Sequence, residues 1–315
     1  MGNRDRRRVG RCRIRAAKPM TRDRYLVVGA NGELGQALLR ELGPERAIAA
    51  TRKADTPLPG FEHVRIGQDG TPPAGTLARC AAVINAAGSA TGDKPTLQSA
   101  NIDLPRAIAH AAKDAGVPRL VQVSSFSILG AAEHIDDRTV ERPINAYGRS
   151  KAAAEHVLLG NSDDAFSVEC VRLPFLFSAA KPSLLAPLLS LATRLRHLPA
   201  ASGHPVRRSM ITYADAARQL ANAARSGTGG ISFAADPRLF DYDLLGVVLV
   251  EEARMRLRIV SLPRIVVAGA DRLFPAIGRR LFRSSVLDPR ANRAGNQPLG
   301  LEDELRKLVR STYGS

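Results

Sequence analysis

Tyr147 and Lys151 stand four residues apart, and Ser125 lies upstream at the end of the run Val121-Gln-Val-Ser-Ser125. On a helix that spacing puts the phenol and the ammonium on one face. A nearby cation favours the phenolate, moving a tyrosine from its ordinary pKa near ~10 toward the neutral range where general acid–base catalysis is most effective. A serine hydroxyl can then hold a substrate carbonyl oxygen. Proton transfer is the chemistry these three residue types suggest together.

A second signal lies near the other end of the same half of the chain. Tyr25-Leu-Val-Val is a short apolar run, followed by Gly29, Gly32 and Gly35 at even spacing and then by the helical pattern around Ala37, Leu38 and Leu39. This reads as strand, tight turn and helix. Gly29 lets the chain turn sharply, Gly32 lets backbone approach a pyrophosphate, and Gly35 lets the helix pack on the strand, while the helix N-terminus supplies partial positive charge. A dinucleotide is the ligand expected there.

The elements that position these residues alternate. Strands are expected at Tyr25–Gly29, Arg46–Ala50, His63–Ile66, Ala81–Ala86, Leu120–Ser124 and Ser167–Leu173, with helices between them. This alternation predicts an α/β fold: a Rossmann-like, doubly wound parallel sheet with its site at the carboxyl ends of the strands. The glycine turn, Ala86-Ala87, Ser125 and Pro174 all fall at such ends. Expected boundaries are a basic tail at 1–24, a dinucleotide-binding domain at 25–180 and a smaller, mainly substrate-binding region at 181–315. Within that last region, Ala179–Pro182 reads as a linker, Pro199–Val206 as a loop, and Asp241–Arg254 and Leu301–Ser311 as helices.

From about Tyr25 to Tyr313 the chain resembles the extended short-chain dehydrogenases/reductases, in particular the NAD-dependent epimerase/dehydratase group acting on nucleotide sugars. The resemblance is carried, in order, by the glycine turn, Asn85-Ala-Ala-Gly88, Asn101, Ser124-Ser125-Phe-Ser-Ile-Leu-Gly130, the Tyr147/Lys151 pair and Arg172-Leu-Pro174. Two later segments add to it: Arg207-Arg208-Ser-Met-Ile-Thr-Tyr-Ala-Asp215, and the ending from Leu287-Asp288 to Leu305. It implies hydride transfer between a nicotinamide and a sugar carbon, coupled to proton transfer through Tyr147. Lys151 would bind nicotinamide ribose hydroxyls, and Ser125 would hold the sugar oxygen; Ser124 and Ser127 are alternatives, with Ser127 also a substrate contact. Asn31, Glu33, Leu34, Ala86, Ala87, Asn101 and Pro174 would join the glycines around the cofactor, although Asn101 and Pro174 equally suit structural roles. Arg208 would pair with a substrate diphosphate, as a guanidinium fork does well.

Cofactor choice turns on the end of the second strand, where an acid suits the ribose of NAD and a base the 2′-phosphate of NADP. Thr51-Arg52-Lys53 offers no carboxylate before Asp55, so NADP(H) is favoured over NAD, unless Arg52 and Lys53 are solvated loop charges. Asp69 suits either the adenine amino group or a simple turn. Departures from the family narrow the activity. Phe126-Ser127 replaces the Asp-Glu pair of the dehydratases, Leu129 stands where a Tyr is usual, and Phe175-Leu-Phe177-Ser178 replaces Tyr-Gly-Pro. The nearest resemblance is to UDP-hexose 4-epimerase-like enzymes of surface-polysaccharide synthesis; a nucleotide-4-ketosugar reductase using NADPH and a non-catalytic dinucleotide sensor are the alternatives.

The net charge of +16 looks like a nucleic-acid signature until it is located. Residues 1–19 carry basic side chains from Arg4 to Lys18 against one acid, Asp5, with no apolar stretch of the secretory kind, so disorder is expected there. The first strand begins only at Tyr25 and Met20 stands just before it, which suggests a start at Met20 in place of Met1. Elsewhere basic charge is spread, suits an anionic nucleotide substrate, and gives no reason to expect a nucleic-acid partner. Cys12, Cys80 and Cys170 are widely spaced and odd in number, and Cys80 and Cys170 adjoin apolar runs, so reduced core thiols are expected. The six His lack ligand spacing, so no metal is expected. No apolar run approaches the ~20 residues that span a bilayer. A cytoplasmic protein without stable membrane insertion follows as the expectation, and exposed helices are compatible with a homodimer.

Overall fold

Strands that are apolar along their whole length need cover on both faces, which is the situation of a parallel sheet wrapped by helices. The computed structural model describes residues 22–52, 58–180, 185, 189–190, 193–194, 196–201, 206–255, 258–263, 283–297 and 299–313. The strands are β1 (Arg24–Val28), β2 (Ala47–Thr51), β3 (Glu62–Arg65), β4 (Cys80–Asn85), β5 (Arg119–Ser125), β6 (His134–Ile135), β7 (Ser167–Leu173), β8 (Phe175–Phe177), β9 (His197–Ala201), β10 (Met210–Thr212), β11 (Gly230–Phe233), β12 (Arg258–Leu262) and β13 (Val286–Leu287). The helices are α1 (Glu33–Leu42), α2 (Ala74–Leu77), α3 (Lys94–Gln98), α4 (Leu104–Asp114), α5 (Ala146–Leu159), α6 (Tyr213–Ser226), α7 (Tyr242–Ala253) and α8 (Leu301–Tyr313).

Seven strands form one sheet in the order β11-β7-β5-β4-β1-β2-β3, all pairs parallel. The expected doubly wound Rossmann-like fold is therefore present. One face packs under α1 and α6, where Leu34, Leu38 and Leu220 meet Val27, Ile84 and Val121. The other packs under α2, α4 and α5, where Leu77, Ile108 and Leu158 meet Leu26, Val83 and Val168. The chain reverses its direction of winding at β1, so the carboxyl ends of β1, β4 and β5 open on one crevice. Cys80 and Cys170 lie free in this core, where burial raises the Cys80 thiol to about 11 and the Cys170 thiol higher still.

The six expected strands appear with ends displaced by a residue at most. The seventh, β11, was not foreseen, because Gly230-Ile-Ser-Phe233 is short and its first residues are exposed at the sheet edge. It and α6 come from beyond residue 180, so the segment expected to be mainly substrate-binding also completes the sheet. The loop expected at Pro199–Val206 needs correction: His197–Ala201 is β9, paired with β12. Proline is tolerated there because each strand of a two-stranded ribbon has an edge that donates to nothing. Residues 202–205 lie outside the described residues, as do the tail with Cys12 and Met20, Lys53, Asp55, and Lys181-Pro182 of the linker.

A smaller apolar cluster joins β8, β10, α7 and α8 through Phe177, Met210, Phe240, Leu245, Leu249 and Leu305. Its attachment to the sheet is apolar through Leu176 of β8 and Ile211 of β10, and polar through two carboxylates. The carboxylate of Asp236, almost wholly buried, accepts from the backbone N–H groups of Arg238 (2.8 Å), Leu299 (3.2 Å) and Leu301 (2.9 Å), and Asp215 accepts from Gly300 (2.9 Å). Through Leu301, and through Gly300 and Leu299 just before it, these acceptors satisfy donors at the start of α8 that the helix cannot pair internally. Among the described residues, no helix is long and apolar enough to cross a membrane. Asp236→Ala strands the buried N–H of Leu301, at ~1–3 kcal/mol for an unsatisfied buried group. Urea unfolding should show a loss of that order, ~1–3 kcal/mol; an unchanged midpoint would show that α8 is held by its apolar face alone.

Candidate active site

The glycine turn is built as a backbone contact. Gly29 has φ +82°, and a Cβ there would lie 2.7 Å from the backbone nitrogen of Ala87. A Cβ on Gly35 would strike the Gly29 carbonyl oxygen, whereas one on Gly32 meets little beyond that same oxygen at 3.3 Å. Gly29 and Gly35 are thus required by packing, and Gly32 by the space it leaves open. Gly32 is also the N-cap of α1 and provides no side-chain cap, in contrast to Asn145, Thr212 and Asp241 at the starts of α5, α6 and α7. An uncapped N-terminus behind a glycine opening fits the diphosphate of a dinucleotide.

The remaining turn residues divide by position. Asn31 is exposed, and its carbonyl accepts from Gln36 Nε2 at 3.3 Å. Leu34 points into the core, so only its backbone can serve a cofactor. Glu33, in the first turn of α1, hydrogen-bonds Tyr213 at the start of α6, and this carboxylate together with burial raises the Tyr213 phenol to about 12. The Ala86-Ala87 turn is set by buried Asn85, whose Oδ1 accepts from Ala87 N (3.1 Å) and whose Nδ2 donates to Gln122 Oε1 (2.8 Å).

Asn101 lies in a single π-turn, Ser99–Asp103, of the kind that recurs at functional sites. It is fully buried and its amide is spent within the protein. Oδ1 accepts from Ser89 N (2.8 Å), and Nδ2 donates to Ser89 O (2.8 Å) and Ser150 Oγ (2.9 Å). Ser150 in turn donates to the Tyr147 carbonyl (2.8 Å). Asn101 is a strut between the 86–89 turn and α5.

Helix α5 carries Tyr147 and Lys151. Asn145 caps it through Gly148 N (2.7 Å), and the absence of a side chain on Gly148 lets the helix press against the Ser127 carbonyl. This places the Tyr147 phenol beside Ser125, whose hydroxyl acts to lower the phenol's pKa. Ser125 Oγ also accepts from Ser127 N and meets Ser127 Oγ, each at 3.1 Å. Lys151 Nζ donates to the Val123 carbonyl at 2.8 Å and lies 3.7 Å from where a Gly88 Cβ would be. The glycine turn, Ala86-Ala87, Asn101, Lys151, Tyr147, Ser125 and Ser127 therefore adjoin one crevice.

Burial raises the Tyr147 phenol, and the adjacent Ser125 hydroxyl acts in the opposite direction. In this structure the Lys151 ammonium is turned to the Val123 carbonyl. Lys151 itself is almost fully buried, and desolvation lowers it to about 8, against smaller opposing effects of Cys170 and Glu155.

Other expected residues fall outside this cluster. Both Asp69 carboxylate oxygens are taken by Thr71 Oγ1 at 2.7 Å, and Oδ1 also accepts from Thr71 N at 3.0 Å, so Asp69 closes a turn. Arg208 exchanges backbone hydrogen bonds with Phe240 and donates from Nη2 to the Arg283 carbonyl (2.7 Å), beside Tyr242. Arg52 is exposed at the end of β2, and Pro174 is buried between β7 and β8. Sequence reasoning missed Glu155. It is fully buried on α5 and binds Ser124 Oγ and the Arg172 guanidinium, so Ser124 is not the serine that faces Tyr147. Its signal was present as a third residue at four-residue spacing after Tyr147 and Lys151. Among the described residues, no group of His, Cys, Asp and Glu is arranged to hold a metal ion.

The family model described as the RmlD substrate binding domain matches residues 23–225, and the chain belongs to that family, within the extended short-chain dehydrogenase/reductase enzymes. A 4-hydroxy-2-methyl-3-oxo-4-farnesyl-3,4-dihydroquinoline-1-oxide ketoreductase of Stigmatella aurantiaca is 25% identical over 289 residues, covering 85% of this chain and 83% of that one. Among solved structures, the UDP-N-acetylglucosamine 4-epimerase of Bacillus cereus is 18% identical with a TM-score of 0.69, over 91% of this chain and 97% of that one. MoeE5 in complex with UDP-glucose and NAD is 21% identical with a TM-score of 0.65, over 92% and 98%. At these identities the structural likenesses bear on the fold.

Lys151 gives a signed prediction. With a folded pKa of about 8 against an ordinary 10.5, its charged form is a burden on the fold below about pH 8. Between those values the unfolded chain holds the proton and the folded one does not, so stability rises with pH. Relative to Lys151→Met, the wild type should gain up to ~3 kcal/mol across that window, at 1.36 kcal/mol per unit. A pH-independent difference in denaturation free energy would show that the ammonium is not desolvated.

Proposed function

We propose that this member of the RmlD substrate binding domain family is an NAD(P)-dependent nucleotide-sugar epimerase of the UDP-hexose 4-epimerase type. The observation that carries the reading is the convergence of α5, with Tyr147 one helical turn from Lys151, on Ser125 at the carboxyl end of β5, across the sheet's switch point from the glycine turn. The bound nicotinamide dinucleotide supplies the hydride acceptor and donor. Gly32 and the N-terminus of α1 would hold its diphosphate, and Ala86-Ala87 would flank it.

The protein's own residues move the proton. Ser125 donates to the sugar oxygen as it gains carbonyl character, which stabilises charge where it develops. Tyr147 takes the proton from the sugar hydroxyl and returns it. Because burial keeps this phenol neutral, the ammonium of Lys151 is the group whose approach would favour its anion. The phenol and Ser125 share one oxygen of the substrate, so the two faces of the sugar can be presented to the same pair. The likeness to a UDP-N-acetylglucosamine 4-epimerase of B. cereus and to MoeE5, seen in complex with UDP-glucose and NAD, supports this substrate class.

A second reading, reduction of a ketone by NADPH, is favoured by Arg52 at the end of β2 and by the curated relative, whose name is that of a ketoreductase. The cofactor separates the two. A co-purified NAD that survives gel filtration, with interconversion of UDP-hexoses and no net redox change, supports the epimerase. Stoichiometric loss of NADPH absorbance selects the reductase, and Arg52→Ala should then erase the preference for NADP over NAD. In either case Tyr147→Phe should lower kcat by ~10²–10⁴-fold, the range for one general acid–base group. Unaltered turnover by that variant would remove the site as built.

A further inference from the structure

Ser124 and Arg172 are direct neighbours across β5 and β7, and both reach up from the sheet to one carboxylate on α5, that of Glu155. Arg172 Nε lies 3.1 and 3.2 Å from the two Glu155 oxygens, and Nη2 lies 2.6 Å from Oε2. The guanidinium is fixed further by Glu141, on the segment that leads into α5, and by the Phe233 ring of β11 at 5.7 Å. Glu155 is wholly buried and Arg172 is 3% exposed.

We propose that Glu155 is the positioning residue that holds the Ser125 hydroxyl in register with Tyr147 and Lys151. Ser124 precedes Ser125 on β5, while Glu155 follows Lys151 by one turn and Tyr147 by two on α5. The tie between Glu155 and Ser124 therefore joins the two elements that carry the reacting groups. Apolar packing of α5 on the sheet is non-directional and tolerates small slides; a charge-assisted hydrogen bond to a fixed cross-strand pair does not. Arg172 makes the arrangement durable, because a buried carboxylate without a cation would be costly. Glu141 and Arg172 also secure the stretch before Asn145, and so the start of the helix that presents Tyr147.

This inference rests on the reading that Tyr147, Lys151 and Ser125 carry the reaction, and its test separates the two. Ser124→Ala cuts the tie but leaves the Glu155–Arg172 pair, so the protein should still fold, with Tm lowered by a few degrees for one lost buried hydrogen bond. Its kcat should fall roughly tenfold with KM unchanged, as expected for a small misplacement of reacting groups. Glu155→Gln should cost more, and the double variant should be no worse than Glu155→Gln alone, because both act through one bond. In protein without added substrate, amide hydrogen exchange in Ser124→Ala should quicken at Ser125–Ile128 and Tyr147–Lys151, and stay unchanged in β2. Wild-type kcat in Ser124→Ala, losses that multiply in the double variant, or unchanged exchange at those amides would overturn the proposal. Should Glu155→Gln fail to fold, Ser124→Ala alone decides. A wild type inactive on every nucleotide sugar would overturn the catalytic reading, and the exchange comparison would still decide the tie.

Discussion

No side chain fits between residue 29 and the backbone of Ala87, and the site depends on that close approach. With Gly29 at positive φ, the turn after β1 lies directly against the turn after β4. The second turn then continues through Gly88 to Ser89, which Asn101 grips from both sides. Asn101 holds Ser150, and Ser150 is on the helix that presents Tyr147 and Lys151. One steric condition is thus passed through hydrogen bonds from a glycine to an acid–base pair far along the chain. Gly35 and Gly148 impose the same kind of condition, the first by seating α1 on its own turn, the second by letting α5 touch Ser127. In each case a missing side chain brings backbone where a functional group needs it.

What could be read without coordinates followed the local periodicities. Tyr147 and Lys151 share a face because four residues make about one helical turn. The central strands of the sheet were visible because buried parallel strands are rich in apolar residues, and β3 was placed by the alternation of strands and helices. β11 was not, since an edge strand has neither that run nor a clean alternation. The choice between Ser124 and Ser125 was not local either. It is made by Glu155, distant in sequence, which draws Ser124 toward α5 and leaves Ser125 to the crevice. Asp69 and Arg208 show the opposite limit: each has a residue type that suits a ligand, and each is occupied by a neighbour that residue type alone could not reveal.

The electrostatics refine how such a site works. Proximity in sequence promised a cation beside the phenol, yet Lys151 spends its ammonium on the Val123 carbonyl and Tyr147 remains above its ordinary pKa. The buried charges are instead balanced as a group, with Lys151 and Arg172 against Glu155 and Glu141. A neutral phenol next to a serine hydroxyl is well suited to give a proton to a developing alkoxide. Taking one back requires help from the lysine, so the same residues can serve both directions of a carbonyl–carbinol interconversion. The fold supplies the crevice; on the proposed function, Tyr147, Lys151 and Ser125 supply the chemistry.

The most direct measurement of the central claim follows the hydrogen on the reacting carbon. A UDP-hexose carrying deuterium at C4 is incubated with the protein, and the recovered sugars are examined by NMR and mass spectrometry. Hydride transfer within one site predicts the C4 epimer with deuterium still at C4 and none lost to water. Deuterium washed out into solvent would mean that the carbon loses a proton and not a hydride, and would contradict the account.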